Sequence, residues 1–83
     1  MADNPNILAS FTARDLVPVT PSDTVDLAID ARALRIGTGG TLRVTTIAGN
    51  VRNTIVIDNE RLELQVTRVH ATGTTATGIE AMI

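Results

Sequence analysis

The second part of the chain alternates between apolar and polar side chains. Leu62, Leu64 and Val66 are separated from one another by single polar residues, and similar alternation recurs on both sides of this run. A period of two is typical of strands with one buried face. Five strands are therefore predicted, separated by turns that contain Gly or Asn, in the segments 32–36, 41–46, 51–57, 61–71 and 79–83.

The phase of this alternation changes once. After Thr67 the apolar positions move to Val69 and Ala71, so a β-bulge near Thr67 and Arg68 is predicted to keep both apolar sets facing inward. The glycine-rich segment 37–40 is predicted to form a hairpin turn. Because no helix of crossover length is predicted between the strands, a parallel sheet is not expected. The sequence thus predicts an all-β fold, a small antiparallel β-sandwich or barrel.

The first 31 residues have a different character. They contain every proline of the chain, Pro5, Pro18 and Pro21, and proline favours extended backbone and removes a hydrogen-bond donor. We predict an extended N-terminal arm over 1–31 and a β-sandwich domain over 32–83, with a short amphipathic helix possible only within 6–16. A domain of this size buries a thin core and leaves sheet edges open, so a homo-oligomer is expected.

Composition removes several classes of function. The chain has no Cys, one His, one aromatic residue and a net charge of −2. These numbers argue against thiol chemistry, a histidine metal cage, base-stacking surfaces and nucleic-acid binding. No apolar run approaches the roughly 20 residues that span a bilayer, and no secretory signal is expected. We expect no enzyme, no cofactor and no membrane partner, and the lack of Cys fits synthesis in a reducing cytoplasm.

Four polar groupings resemble chemical sites, and each has a simpler interpretation. Asp23, Asp26 and Asp30 lack the Gly and the terminal Glu of an EF-hand loop, so Ser22 or Asp23 is predicted to cap a turn while the other acids are solvated or paired with Arg32 and Arg35. Segment 37–40 lacks the Lys of a phosphate-binding loop. Asp58, Glu60 and Glu63 have no aromatic sugar platform, which favours a polar turn. His70 is interpreted as a surface or interface residue. Arg43 and Arg61 are predicted to project outward, where guanidinium groups bind carboxylates of a partner.

Several stretches also carry a family resemblance. They are VTPSD at 19–23, ARAL at 31–34, LRVTT at 42–46, VTRV at 66–69 and ATGTTAT at 71–77. Together, in this order, they resemble the small spike base and capsid decoration proteins of gene transfer agents and related tailed bacteriophages. The resemblance covers residues 19–83, and the Thr/Gly string at 71–77 is its most specific part.

The resemblance implies a structural virion protein that decorates the capsid surface, as a cement or head spike base subunit, and no catalytic residue accompanies it. The implied partners are the major capsid protein, further copies of the chain as a trimer or pentamer, and a fibre protein. A tail or baseplate adaptor and, less favoured, a carbohydrate-binding module are the alternatives. Contacts with capsid or subunit are predicted at Val17, Val19, Thr20, Pro21, Asp23, Thr72, Thr74 and Thr75.

Overall fold

A computed structural model describes residues 13–83, and all their regular elements are β-strands. In chain order the strands are β1 Leu16–Pro18, β2 Ala33–Arg35, β3 Gly40–Thr46, β4 Val51–Val56, β5 Arg61–Leu62, β6 Val66–Val69 and β7 Glu80–Met82. The predicted all-β class is confirmed. The helix considered within 6–16 falls largely outside the described residues, and residues 13–16 are not helical. Among residues 13–83 no helix is long and apolar enough to cross a membrane.

The strands form two antiparallel sheets. The four-stranded sheet has the order β1-β7-β2-β5, and the three-stranded sheet has the order β4-β3-β6. Leu34 and Ala81 from the first sheet join Leu42, Val44 and Val66 from the second in one buried cluster. The two sheets therefore pack face to face, and the fold is a small sandwich.

The core is built from the alternating positions. In β3, Leu42, Val44 and Thr46 are buried, whereas Thr41 and Arg43 on the opposite face are half-buried. The largest fully buried side chains are Leu34, Ile36, Leu42, Val44, Val56, Val66 and Val69. The face predicted to be buried in segments 32–36 and 41–46 is thus confirmed.

The predicted strand 61–71 is two strands. β5 pairs with β2 in the four-stranded sheet, and β6 pairs with β3 in the other, so the chain passes from one sheet to the other between Leu62 and Val66. The predicted bulge is confirmed: Thr45 pairs with Arg68 and Thr46 with Val66, which leaves Thr67 as the extra residue. Both Val66 and Val69 consequently face the core, whereas Ala71, which was also predicted to face inward, is exposed because β6 ends at Val69.

Segment 37–40 is not a hairpin turn, because β2 and β3 lie in different sheets. It carries the chain across the sandwich in a closely packed corner. A side chain at Gly39 would place its Cβ 2.5 Å from the Val56 carbonyl oxygen, and Gly37 lies against Gly78. Glycine is therefore required at Gly39 by the close approach of another backbone segment.

Residues 13–31 lie along the sandwich. β1 pairs with β7, and residues 22–31 follow the outer edge of β6 through bonds from the N–H groups of Ser22, Leu27 and Ala31 to β6 carbonyl oxygens. These bonds measure 2.9–3.0 Å. The backbone of β6 is therefore covered on its outer side.

Candidate functional site

An apolar groove lies between β1 and the segment that follows the β6 edge. It has a volume of 310 Å³ and is lined by 17–20, 26–29, Ala81 and Ile83. We call it the arm groove. Concave sites with mostly apolar walls are the usual places where proteins receive a partner group. The groove is the described feature that best fits a contact surface near the predicted arm.

Backbone pairing fixes both walls of the arm groove. On one wall, Val17 pairs with Ala81, and the N–H of Val19 donates to the Ile79 carbonyl at 2.9 Å. On the other wall, the N–H of Leu27 donates to the Thr67 carbonyl at 2.9 Å. The bulge at Thr67 thus helps to place residues 26–29 opposite β1. Ile29 remains 61% exposed at the groove, which leaves apolar surface available to a partner.

Asp23 and Thr72 form a second feature, a link between the segment before β2 and the loop after β6. The carboxylate of Asp23 accepts a bond of 2.6 Å from the Thr72 hydroxyl and one of 2.9 Å from its backbone N–H. These bonds, that from the hydroxyl first, hold the pKa of Asp23 below its ordinary value because they stabilise the charged form. Ser22 accepts bonds from the N–H groups of Thr24 and Val25, so the predicted turn cap is confirmed.

Arg68 fastens the same segment from β6. Its Nε donates to Asp26 at 2.8 Å, and its other nitrogens donate to the carbonyl oxygens of Asp23 and Thr24 at 3.1 and 3.3 Å. The guanidinium group therefore holds one carboxylate and two carbonyls together. Arg68 was not among the predicted partners of the acidic residues. The partners of Arg68 lie more than 40 positions away in the sequence, so no local pattern indicates them. The place of Arg68 beside the predicted bulge was the one sequence feature that marked this residue.

His70 is half-buried between two polar side chains. Its Nε2 lies 2.8 Å from the Thr45 hydroxyl, and its Nδ1 lies 3.9 Å from the Asp23 carboxylate. The second distance exceeds a hydrogen bond, so these residues do not form the continuous chain of a hydrolytic triad. His70 lies beside the Asp23–Thr72 link, where it borders the segment that follows β6.

Thr74 and Thr75 are held against β3. The N–H of Arg43 donates to the Thr74 hydroxyl at 3.0 Å, and the N–H of Thr41 donates to the Thr75 hydroxyl at 2.8 Å. Gly73 lies over the Arg43 side chain. The hydroxyl groups of the Thr/Gly string thus take the place of a neighbouring strand along the first half of β3. Arg43, which was predicted to project outward, is half-buried beneath this string.

The structure sorts the predicted contact residues into three groups. Val17, Val19 and Thr20 line the arm groove, Asp23 and Thr72 bond to each other, and Thr74 and Thr75 bond to β3. Pro21 lies in the sequence between Thr20 of the first group and Asp23 of the second, and it is half-buried. Whether these residues contact a capsid or a second subunit stays a prediction. Sequence reasoning missed Ile29, since an isolated apolar residue in an irregular segment carries no periodic signal.

The other acidic residues serve turns and surface pairs. Asp58 accepts a bond from the Gly39 N–H at 2.6 Å, Glu60 accepts one from the Ile57 N–H at 2.9 Å, and Glu63 pairs with Arg61 at 3.4 Å. The polar turn predicted for this region is confirmed. Within residues 13–83 no cluster of three or more His, Asp or Glu side chains could hold a metal ion.

Comparison with solved structures gives a close relative. A chain of the structure described as "Capsid of native GTA particle computed with C5 symmetry" is 43% identical, with a TM-score of 0.76 and coverage of 83% of this chain and 82% of that chain. No family model and no curated protein matches the sequence. With this identity over most of both chains, the protein belongs to the family of capsid structural proteins that this GTA component represents.

Proposed function

We propose that this chain is a decoration (cement) or spike-base subunit on the outer surface of a head of the gene transfer agent or tailed-phage type. The observation that carries the proposal is the 43% identity to a chain of a GTA capsid, over more than four fifths of both chains. Its partners are the major capsid protein, a fibre protein and further copies of itself, arranged as a trimer or pentamer.

The proposed contact surface is the arm groove with the neighbouring Asp23–Thr72 link. The groove offers apolar surface at Val17 and Ile29, which are 40% and 61% exposed. One such contact buries little area. Many identical contacts on a shell add together, because each bound copy holds its neighbours at high effective concentration.

Electron microscopy of particles tests the location. Particles from cells that lack the gene are compared with wild-type particles, and the difference density is sought on the head and on the tail. Density on the outer head surface is the expected result. Density on a tail ring would favour the adaptor alternative and contradict the proposal.

Charge substitutions in the arm groove test the contact surface. We expect the double variant Thr20→Arg/Ile29→Arg to lower occupancy on particles about tenfold or more, since an unpaired charge at a desolvated contact costs more than about 1.4 kcal/mol. Both residues are exposed, so the fold should be preserved. The matched control is Ile57→Arg, which changes a residue 68% exposed outside the groove.

The quantity measured is the number of subunits per purified particle, with circular dichroism as the check on folding. Full occupancy by a folded double variant would rule out the groove as the contact. Point variants are preferred to deletion of residues 1–20, because that deletion also removes β1 from the four-stranded sheet.

A further inference from the structure

Arg43 is a half-buried cation that has no partner in the described part of its own chain. It lies in β3, on the face of the three-stranded sheet opposite the core. Its Nε is enclosed and, among residues 13–83, has no hydrogen-bond partner. The two arginines that were predicted to bind a partner's carboxylate thus differ: Arg61 pairs with Glu63 at 3.4 Å, whereas Arg43 forms no ion pair with residues 13–83.

The loop after β6 encloses the Arg43 side chain. Gly73 has a φ of 89°, a backbone conformation that favours glycine, and a Cβ at this position would lie 3.2 Å from Cδ and 3.9 Å from Nη1 of Arg43. The carboxylate of Asp23, which reaches the same loop, is already held by two bonds from Thr72. The loop therefore shields the guanidinium group from water, and no acidic side chain of the described residues pairs with it.

This arrangement is unfavourable in an isolated subunit. A guanidinium group keeps its charge at every ordinary pH, so Arg43 cannot lower the cost of burial by losing a proton. A buried donor without an acceptor destabilises the fold, and the effect is larger when the donor is charged. Buried polar groups of native proteins nearly always have a partner. We therefore expect the missing partner of Arg43 on another molecule.

We propose that Arg43 binds a carboxylate of a neighbouring copy of this chain in the assembled oligomer. A carboxylate is the acceptor that fits a guanidinium group best, because its two oxygens accept parallel bonds from the planar fork. The terminal nitrogens, beyond the enclosed Nε, donate these bonds. Copies of the chain can supply the acceptor, since each has nine Asp and Glu residues for seven arginines.

Such a contact joins different surfaces of two copies. Arg43 of one copy meets an acidic side chain elsewhere on the next, and the same contact repeats around a closed ring. A trimer and a pentamer can both be built in this way, and like charges do not face each other across the contact. Arg43 lies outside the arm groove, which stays available to the shell. The inference rests on the homo-oligomer of the proposed function and names the side chain that links its copies.

Arg43→Met tests whether the charge serves assembly or folding, because it removes the guanidinium group and keeps an unbranched apolar side chain. At concentrations where the chain is monomeric, we expect the urea midpoint to equal or exceed that of the wild type, since no bond of the subunit is lost. The dissociation constant of the oligomer should rise about tenfold or more, because a charge-assisted bond between copies is lost.

Analytical ultracentrifugation measures this dissociation constant. The matched control is Arg35→Met, which removes an exposed arginine from β2 in the other sheet and should leave the constant unchanged. A lower urea midpoint for Arg43→Met with an unchanged dissociation constant would show that the charge serves the fold, and it would overturn the proposal.

A zero-length cross-link identifies the carboxylate. The native chain has no Lys, so Arg43→Lys introduces its one side-chain amine, and a carbodiimide joins this amine to a carboxylate in contact with it. On the purified chain and on particles, we expect a ladder of linked copies in multiples of 8.8 kDa that ends at the trimer or the pentamer. Mass spectrometry of the linked peptides gives the acidic residue. Arg35→Lys is the control and should give no ladder.

The possible outcomes distinguish this inference from the proposed function. Wild-type chain on the heads, with no ladder from Arg43→Lys, would overturn the inference alone. A ladder that stops at two copies, or a link to the major capsid protein in place of a second copy, would also overturn it. Heads that lack the wild-type chain would contradict the proposed function, whereas a ladder from the purified chain would still support the contact between copies.

Discussion

Asp23 connects two parts of the molecule that the sequence separates widely. Two bonds from Thr72 join the segment before β2 to the loop after β6, and Arg68 holds the carbonyl oxygen of Asp23. A charged acceptor with two donors is a stronger link than a neutral one. Together with the Arg68–Asp26 ion pair, the Asp23 side chain holds the segment that leads into the 26–29 wall of the arm groove.

The Asp23–Thr72 link predicts a pH-dependent contribution to stability. Because the pKa of Asp23 is lower in the folded protein than in the unfolded chain, its contribution is present above the unfolded pKa and is lost as the pH falls through the folded pKa. Asp23→Asn should unfold at a lower denaturant concentration than the wild type at pH 7, and the difference should shrink in acid.

Urea unfolding at several pH values between about 2 and 7, a range that includes the ordinary titration of Asp, measures this difference. The control is Asp30→Asn, which alters an exposed carboxylate outside the link. A wild-type advantage that stays constant down to the lowest pH would show that the charge of Asp23 does not stabilise the fold.

Among the elements, the bulge in β6 determines both which side chains of the strand are buried and which backbone bonds its outer edge makes. With Thr67 as the extra residue, Val66 and Val69 both face the core, while the Thr67 carbonyl accepts the N–H of Leu27. The bulge therefore serves the core on one side and the arm groove on the other.

Deleting Thr67 should leave the core pairing of β6 intact. Val66, Arg68 and Val69 would then alternate without interruption opposite Thr46, Thr45 and Val44. The free energy of unfolding should fall by about 1–3 kcal/mol, because the two hydrogen bonds that Thr67 makes with Leu27 and Thr45 are lost. Deletion of Thr45 is the control, because it reverses the alternation within β3 and should abolish folding. Chemical denaturation of both variants checks the contrast, and an unfolded Thr67 deletion would refute it.

The face of each strand that is buried could be predicted from the sequence, whereas the pairing of the strands could not. Period-two alternation reports directly that Leu42 is buried and that Leu62 packs against the core, and the phase change at Thr67 identified the bulge. It carries no information about sheet membership, so the passage between β5 and β6 was missed. β1 was read as part of an extended arm, since three residues ending in Pro18 give little signal. The Asp23–Thr72 link was beyond reach because its members are 49 positions apart.

At the scale of the whole molecule, the chain passes between the two sheets after β2, β4, β5 and β6. Neither sheet is a continuous piece of sequence, and the buried cluster draws on both. The two sheets are therefore expected to unfold together, as small single domains usually do.

Thermal unfolding should show one transition whose midpoint rises with protein concentration. The proposed homo-oligomer forms from the folded chain and not from the unfolded one, so mass action stabilises the fold at higher concentration. Differential scanning calorimetry over a hundredfold concentration range measures the shift. A wild-type midpoint that is independent of concentration would contradict a homo-oligomer of the free chain.

On β1 the outward N–H of Leu16 bonds to the Asp15 carboxylate at 2.8 Å and Pro18 has no N–H, so this margin of the sheet is closed to a further strand. A molecule with two adhesive rims adds copies at both ends and grows into filaments. With the β1 margin blocked by Asp15 and Pro18, copies of the chain cannot extend the four-stranded sheet from that side. We expect newly made subunits to be protected in this way from strand-by-strand polymerisation before they reach a shell.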